Sequence, residues 1–253
     1  MNTRLLPRSR RLAAAIVAMS CLVGCYVVDS ACAMHAEQRI ATDTERYARL
    51  EVAPRVYIGG FPYLSNYFRS ETPSLSAEVL DITVPGFGLV NARTDVTDLT
   101  LTKEQLRTGH LESVPAKLLT RKLRLDGVAM GKFLGITDLD ISNPYDISPS
   151  GGPASEVQLT GTPAGFSKPV TVIAALRITD TTITLTPREL RDVPPGQEDA
   201  TREAFSWSID SGLLPMPTRA NRVYCQGGSI YFESEQRNIV IDASDLSPIS
   251  IHD

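Results

Sequence analysis

The 253-residue chain carries 25 basic and 29 acidic side chains, for a net charge of −4, and removing residues 1–25 deletes four arginines and no acid, leaving −8. An acidic body argues against nucleic acid as a partner, because phosphate recognition needs clustered Lys and Arg, and against broad electrostatic attraction to anionic lipid. Aromatic residues make up only 6% of the chain, so aliphatic side chains must fill the core.

The chain opens on MNTRLLPRSRR and the apolar run LAAAIVAMSCLVGCYVV, residues 12–28. A basic start before a short apolar run reads as an export signal or an anchor, and seventeen residues is the lower limit for crossing a bilayer as a helix. Three fates compete. LVGC, residues 22–25, looks like a lipobox, which makes Cys25 a lipidation candidate. Ala-Cys-Ala, residues 31–33, is an A-x-A cleavage site. The third fate is an uncleaved anchor that runs on into a helix. SRR at residues 9–11 also hints at a twin-arginine signal. Every fate places the body outside the cytoplasmic membrane, in the cell envelope. The expected division is a signal peptide or membrane anchor over 1–33 and a single domain over 34–253.

HAEQRIATDTERYARL, residues 35–50, reads as a helix with Ile40, Tyr47 and Leu50 on one side. PRVYIGG, residues 54–60, reads as a short strand ended by two glycines. GGFPYLSNYF, residues 59–68, then crowds four aromatics into eight positions. With Pro62 in a first turn, about two turns of helix follow, placing Phe61, Leu64 and Phe68 toward the interior and Tyr63 and Tyr67 at a rim.

From there the pattern is strongly β. SLSAEVLDITV (74–84) alternates, with Leu80, Ile82 and Val84 on one face. VNARTDVTDLTLT (90–102) is rich in β-branched residues. LLTRKLRLDG (118–127) sets Leu119, Leu123 and Leu125 opposite Thr120, Lys122 and Arg124, and the cluster Arg121, Lys122, Arg124 reads as a solvent face. VTVIAALRI (170–178) and TTITLT (181–186) form a hairpin. FSWSI (205–209) puts Phe205, Trp207 and Ile209 on one face. RVYCQGGSIYFE (222–233) is a hairpin around Gly227-Gly228, and NIVIDA (238–243) closes the series. KEQLR (103–107) is a short helix. VAMGKFLGI (128–136) is a helix or loop whose Met130, Phe133 and Leu134 are candidates to line a cavity. Residues 142–156 and 191–203 read as loops, the second with the composition of a flexible lid. The class is α+β, dominated by antiparallel strands with a few short helices.

Catalytic signatures are missing. His35, His110 and His252 have no metal-ligand spacing, there is no H-E-x-x-H, C-x-x-C or G-x-S-x-G element, and the paired glycines lack the context of a phosphate loop. No metal, cofactor or catalytic residue is expected. The acid pairs Asp138/Asp140 and Glu198/Asp199 sit in polar segments and read as solvated loops. Cys32 and Cys225 are able to pair in an oxidising compartment, but no spacing shows that they do.

AEQRIA (36–41), PRVYIGGFPYLSNYFRSE (54–71), VLDITVPGFGL (79–89) and DVTDLTL (95–101) together resemble the LmeA-like family of actinobacterial cell-envelope proteins. VAMGKFLGITDLDI (128–141), VTVIAALRI (170–178) and LLPMPTRANRVYCQGGSIYFESEQRNIVI (213–241) fit the same pattern. The resemblance implies an elongated, strongly curved fold around an apolar cavity, similar to tubular lipid-binding proteins. It also implies phospholipid as ligand, in particular inositol phospholipid, and a part in assembling mannan-bearing glycolipids. Curved antiparallel strands with an apolar inner face suit such a cavity.

The expected function is therefore non-enzymatic phospholipid binding at the membrane surface. Phe61, Tyr63, Leu64, Tyr67, Phe68, Met130, Phe133 and Leu134 are the candidate lipid contacts. The alternatives are an envelope scaffold lipoprotein that contacts a synthase and a hydrolase that uses Asp138 or Asp140.

Overall fold

The computed structural model describes residues 8–69, 72–144 and 152–250. Its first element, α1 (Arg8–Ala48), is one unbroken helix that joins the apolar run to the helix expected at 35–50. Residues 12–28 stand exposed, and the rest of α1 lies on the body through Asp29, Ala36, Ile40 and Thr44. That stripe keeps the 3.6-residue period of one helix face. Tyr47, expected on the packed side, is exposed, because the stripe passes through Thr44 instead.

The strand β1 (Arg55–Ile58) is followed by a short 3-10 helix (Tyr63–Tyr67), and then by the long hairpin β2 (Thr72–Val84) and β3 (Gly88–Leu99). The helix α2 (Lys103–Thr108) leads to β4 (Val114–Asp126), α3 (Gly127–Leu134) and β5 (Asp140–Ser142). The meander β6 (Ala154–Gly161), β7 (Val170–Thr179), β8 (Thr182–Arg191) follows, then α4 (Glu198–Ala204) and β9 (Trp207–Asp210). The chain finishes with β10 (Arg222–Gln226), β11 (Ser229–Ile241) and a 3-10 turn at Ala243–Leu246. Among the described residues two antiparallel sheets result, in the orders β1-β2-β3-β4-β11-β10 and β5-β6-β7-β8-β9. The first curls into a half-barrel, as the α+β, strongly curved expectation requires.

Several local expectations change. Asp81, at positive φ, makes a bulge in β2 that shifts the register between Val79 and Ile82, so the inward phase jumps from Val79 to Ile82 and Leu80 points out. NIVIDA is not a separate strand; it is the end of β11, carried past another positive-φ residue, Asn238. Phe205 ends α4 and is fully buried rather than sharing a strand face with Trp207. The loop expected over 191–203 contains most of α4, and Ala154–Gly161 is a strand that alternation alone did not reveal. His252 and residues 145–151 of the other expected loop lie outside the described residues.

The largest correction concerns Arg121. It sits on the leucine face of β4, 2% exposed, between Leu119 and Leu123. Its cross-strand neighbours are Thr94 on β3 and Ser234 on β11, both buried. This polar row divides the sheet's inner face. On one side Ala92, Leu123 and Phe232 belong to the core beneath the second sheet, and on the other Val96 and Leu119 belong to the core beneath α1. The guanidinium donates to Gln236 Oε1 at 2.9 Å and to the Asp245 carbonyl at 2.8 Å, while the Asp245 carboxylate stands 3.7 Å away. Burial lowers the Arg121 pKa, opposed by Asp245.

The turn after α3 depends on close backbone approach. A Cβ on Gly131 would stand 2.2 Å from the Ile136 carbonyl oxygen, and one on Gly127 2.2 Å from that of Leu139. Only glycine lets residues 136–139 lie on α3. Gly131→Ala is expected to cost about 1–3 kcal/mol through forced backbone shifts. Urea unfolding of parent and variant checks this, and an unchanged midpoint would show that the turn yields freely.

Candidate functional site

The eight candidate contacts do not form one site. Met130, Phe133 and Leu134 lie in the core between the two sheets, whereas Tyr63, Leu64 and Tyr67 lie in the separate core beneath α1. Phe61 and Phe68 lie in neither and are 71% and 90% exposed.

The inter-sheet interior is aliphatic at its centre, where Leu123, Leu125, Val157, Leu159 and Leu176 are fully buried. One seam is closed, because β10 packs on β5, β6 and β7 and Val223 bridges to Gly152. At the other side the edge strand β9 faces α3 and the tip of the β2–β3 hairpin. There a row of rings crosses from Phe87 at the tip to Phe133 on α3 (5.2 Å), to Trp207 on β9 (5.4 Å) and to Phe232 on β11 (6.5 Å). Phe133, Leu134, Trp207 and Ile209 are only partly buried, so this seam presents apolar surface to solvent. Met130 lies fully buried behind it.

Lys132 stands over the same seam. A Cβ on Gly88 would lie 2.5 Å from its Nζ, so the ammonium rests on the hairpin backbone beside Phe87 and Phe133. Among the described residues no carboxylate lies within ion-pair distance of Lys132. An apolar seam with one unpaired cation at its lip suits an amphiphile with an anionic head.

A family model described as LmeA-like phospholipid-binding matches residues 27–235, most of the chain. The chain belongs to this family. Comparisons with curated proteins and with solved structures give no significant match. The LmeA-like assignment makes phospholipid the ligand class and describes a binding family.

The acids considered for hydrolysis are arranged differently from a catalytic pair. Asp138 accepts from the Thr162 N–H and hydroxyl at 2.8 and 2.7 Å, contacts that lower its pKa. A general acid needs the opposite shift. Glu198 and Asp199 occupy the first turn of α4, where acids offset the helix dipole. Cys32 and Cys225 are both free and belong to different cores, and burial pushes the Cys225 thiol up to about 11.

At the other end, the GGFPYLSNYF segment reverses its expected faces. A five-residue 3-10 helix has a period of three, so Tyr63 and Asn66 share its buried side. Tyr63 is 3% exposed and donates its hydroxyl to the Leu106 carbonyl at 2.7 Å. Burial and the neighbouring Tyr67 hold its phenol well above the ordinary value. The phenylalanines expected inside are the exposed pair. Cys25 is exposed on α1.

Sequence reasoning missed Phe87 and Lys132 as partners of Phe133. It also missed Asp29, although its signal was legible: it is the one charged residue between Arg11 and His35. Glu37 on α1 adds a second link, accepting from the Ile58 N–H at 2.9 Å. Burial raises the Glu37 pKa, partly offset by that hydrogen bond. A raised acid pKa means the fold holds the proton more tightly than the unfolded chain, so the penalty is full above the folded pKa and fades as pH falls to the ordinary 4.5. Glu37→Gln keeps the carbonyl acceptor and removes the penalty. Its unfolding midpoint at neutral pH is expected to equal or exceed the parent's, with the difference closing as acid is added. A lower midpoint at neutral pH would show that the ionised carboxylate is needed.

Proposed function

We propose that the protein is a non-enzymatic phospholipid carrier or accessory of the cell envelope, taking acyl chains into the interior between its sheets through the β9–α3 seam. Family membership supports the ligand class. The carrying observation is the ring row Phe87–Phe133–Trp207 at a partly exposed seam, with Lys132 at its lip. Acyl chains enter by parting that row, and burial of each methylene contributes about 0.8 kcal/mol. Lys132 meets the phosphate. The finer expectation of an inositol phospholipid, serving mannan-glycolipid assembly, is compatible with an anionic head and rests on the resemblance. Met130, Phe133 and Leu134 are the contacts in this reading. Tyr63, Leu64 and Tyr67 instead support the α1 end.

Native mass spectrometry of the full chain, released gently from membranes, tests the reading. A bound mass identified as phospholipid after denaturation is expected. A clean protein mass, unchanged after incubation with mixed phospholipid vesicles, overturns it and favours the scaffold. Lys132→Glu is expected to lower retention of anionic phospholipid relative to phosphatidylcholine about tenfold, equivalent to about 1.4 kcal/mol. Equal loss of both lipids would show that Lys132 does not read the head group.

A further inference from the structure

The apolar run and the packed stripe on the body are parts of one helix. Helix α1 passes without a break from residues exposed on every side, Leu12, Ile16, Leu22 and Tyr26 among them, into the packed stripe that begins at Asp29. Its first 18-residue apolar window is long and apolar enough to cross a membrane and is almost bare of contacts. Asp29 itself is 5% exposed. Its two carboxylate oxygens accept from the backbone N–H groups of Tyr63 and Leu64 at 2.9 and 2.8 Å. Those are the first two N–H groups of the 3-10 helix, which have no partner inside it. Two further links follow along α1. Glu37 accepts from Ile58, and the Thr44 hydroxyl donates to the Ala243 carbonyl at 3.1 Å. Gly109, at positive φ, lets the end of α2 press on the α1 backbone at Ala36, where a Cβ would meet the Ala36 carbonyl at 2.9 Å.

We propose that Asp29 is a latch that belongs to the working protein, and that it holds the body on a lipid bilayer with Phe61 immersed beside Tyr26. The helix serves as the depth gauge. Seventeen apolar residues rise about 25 Å, close to a hydrocarbon core, which puts Tyr26, near their end, at the outer interface. The Phe61 ring lies 6.0 Å from that of Tyr26 and is mostly exposed. It therefore sits at the same depth, in the layer that aromatic side chains favour. The bilayer is the occupant of this surface because the helix that leads into it is exposed and apolar on all sides. Electrostatics do not supply the attraction, since the body is acidic.

The latch also separates the three fates of the N-terminus. Cleavage after Ala33 deletes Asp29, Cys32 and Ala33, leaving the Tyr63 and Leu64 N–H groups unmet and opening the edge of the core beneath α1. An unpaired buried amide costs about 1–3 kcal/mol. A spanning helix and an acylated Cys25 both keep Asp29 and both place Tyr26 at the interface. The family match, beginning at residue 27, includes Asp29.

The test uses the full chain expressed in an envelope-competent host. Intact-mass analysis of the membrane fraction is expected to find a chain that begins at Met1 or at an acylated Cys25. A chain that begins at Met34 overturns the proposal. Immersion is read separately. In a Trp207→Phe background, Phe61→Trp reconstituted in vesicles of brominated phosphatidylcholine is expected to lose most of its emission. Unquenched emission from protein that still floats with the vesicles overturns the docking. Adding Asp29→Asn, which keeps one acceptor, is expected to restore part of the emission while the protein stays membrane-bound; unchanged quenching would show that Asp29 does not set the pose. None of these readouts depends on lipid in the inter-sheet interior, so failure here and failure of the carrier reading are distinguishable.

Discussion

A single curled sheet has one inner face, and in this protein two separate hydrophobic cores must share it. The sharing is possible because β4 places Arg121 in the middle of its leucine face, flanked across the strands by Thr94 and Ser234. A buried cation costs several kcal/mol unless its donors are met; here Gln236, Thr218 and the Asp245 carbonyl accept from the two terminal nitrogens, while the buried Nε has no partner. Those acceptors come from β11, from the chain leading into β10 and from the turn at Ala243–Leu246. The arginine therefore ties three separate stretches to the centre of the sheet. The polar row also stops either core from extending through the other, so each end of the sheet has its own cover.

The two covers differ in kind. Beneath α1 the contacts are apolar side chains, Ile40 and Tyr63 among them, plus polar links from Asp29, Glu37 and Thr44, each made to a backbone atom at a fixed place. Such links specify position, and breaking any one leaves a buried polar group unpaired. Beneath the second sheet the contacts are aliphatic and aromatic with few polar constraints, and the β9 edge is only four residues long. Apolar contacts resist sliding and parting less than hydrogen-bonded ones, because their energy depends on area rather than direction. The end proposed to hold still carries the directional bonds, and the end proposed to admit a lipid has few of them.

How much of this could be read from the sequence follows from the range of the forces involved. Leu119, Leu123 and Leu125 alternate over a straight stretch of strand, so their common face was legible, and Gly227-Gly228 marked its hairpin correctly. The phase of β2 was not legible beyond Val79, because the Asp81 bulge inserts a residue and turns Leu80 outward. The 3-10 helix was misread for a similar reason: a period of three exchanges the faces that a period near four would give, so the phenylalanines and tyrosines traded places. Arg121 was hidden because its acceptors lie about a hundred residues away in the chain, and no local pattern announces a buried arginine. The seam was half legible. Met130, Phe133 and Leu134 stood out as an apolar segment, but Phe87 and Trp207 reach them only through tertiary packing.

The opening peculiarity of the chain, few aromatics and those crowded, then has a physical account. The buried centres of both cores are mostly aliphatic, with Phe205, Phe232 and Tyr63 as buried rings among side chains that pack densely and fill irregular space. Other rings stand at the boundaries. Phe61 and Tyr26 stand where the helix leaves the body, and Phe87, Phe133 and Trp207 stand where the two sheets part. At a boundary a ring offers a large apolar area with only two side-chain torsions to fix, so it covers an edge at small entropic cost and gives it up to lipid without the loss of a hydrogen bond. A chain with richer aromatic content in its centre would gain stability without gaining a boundary. Setting these rings at the two boundaries gives an acidic, mostly aliphatic body the two surfaces on which the proposed lipid contacts rest.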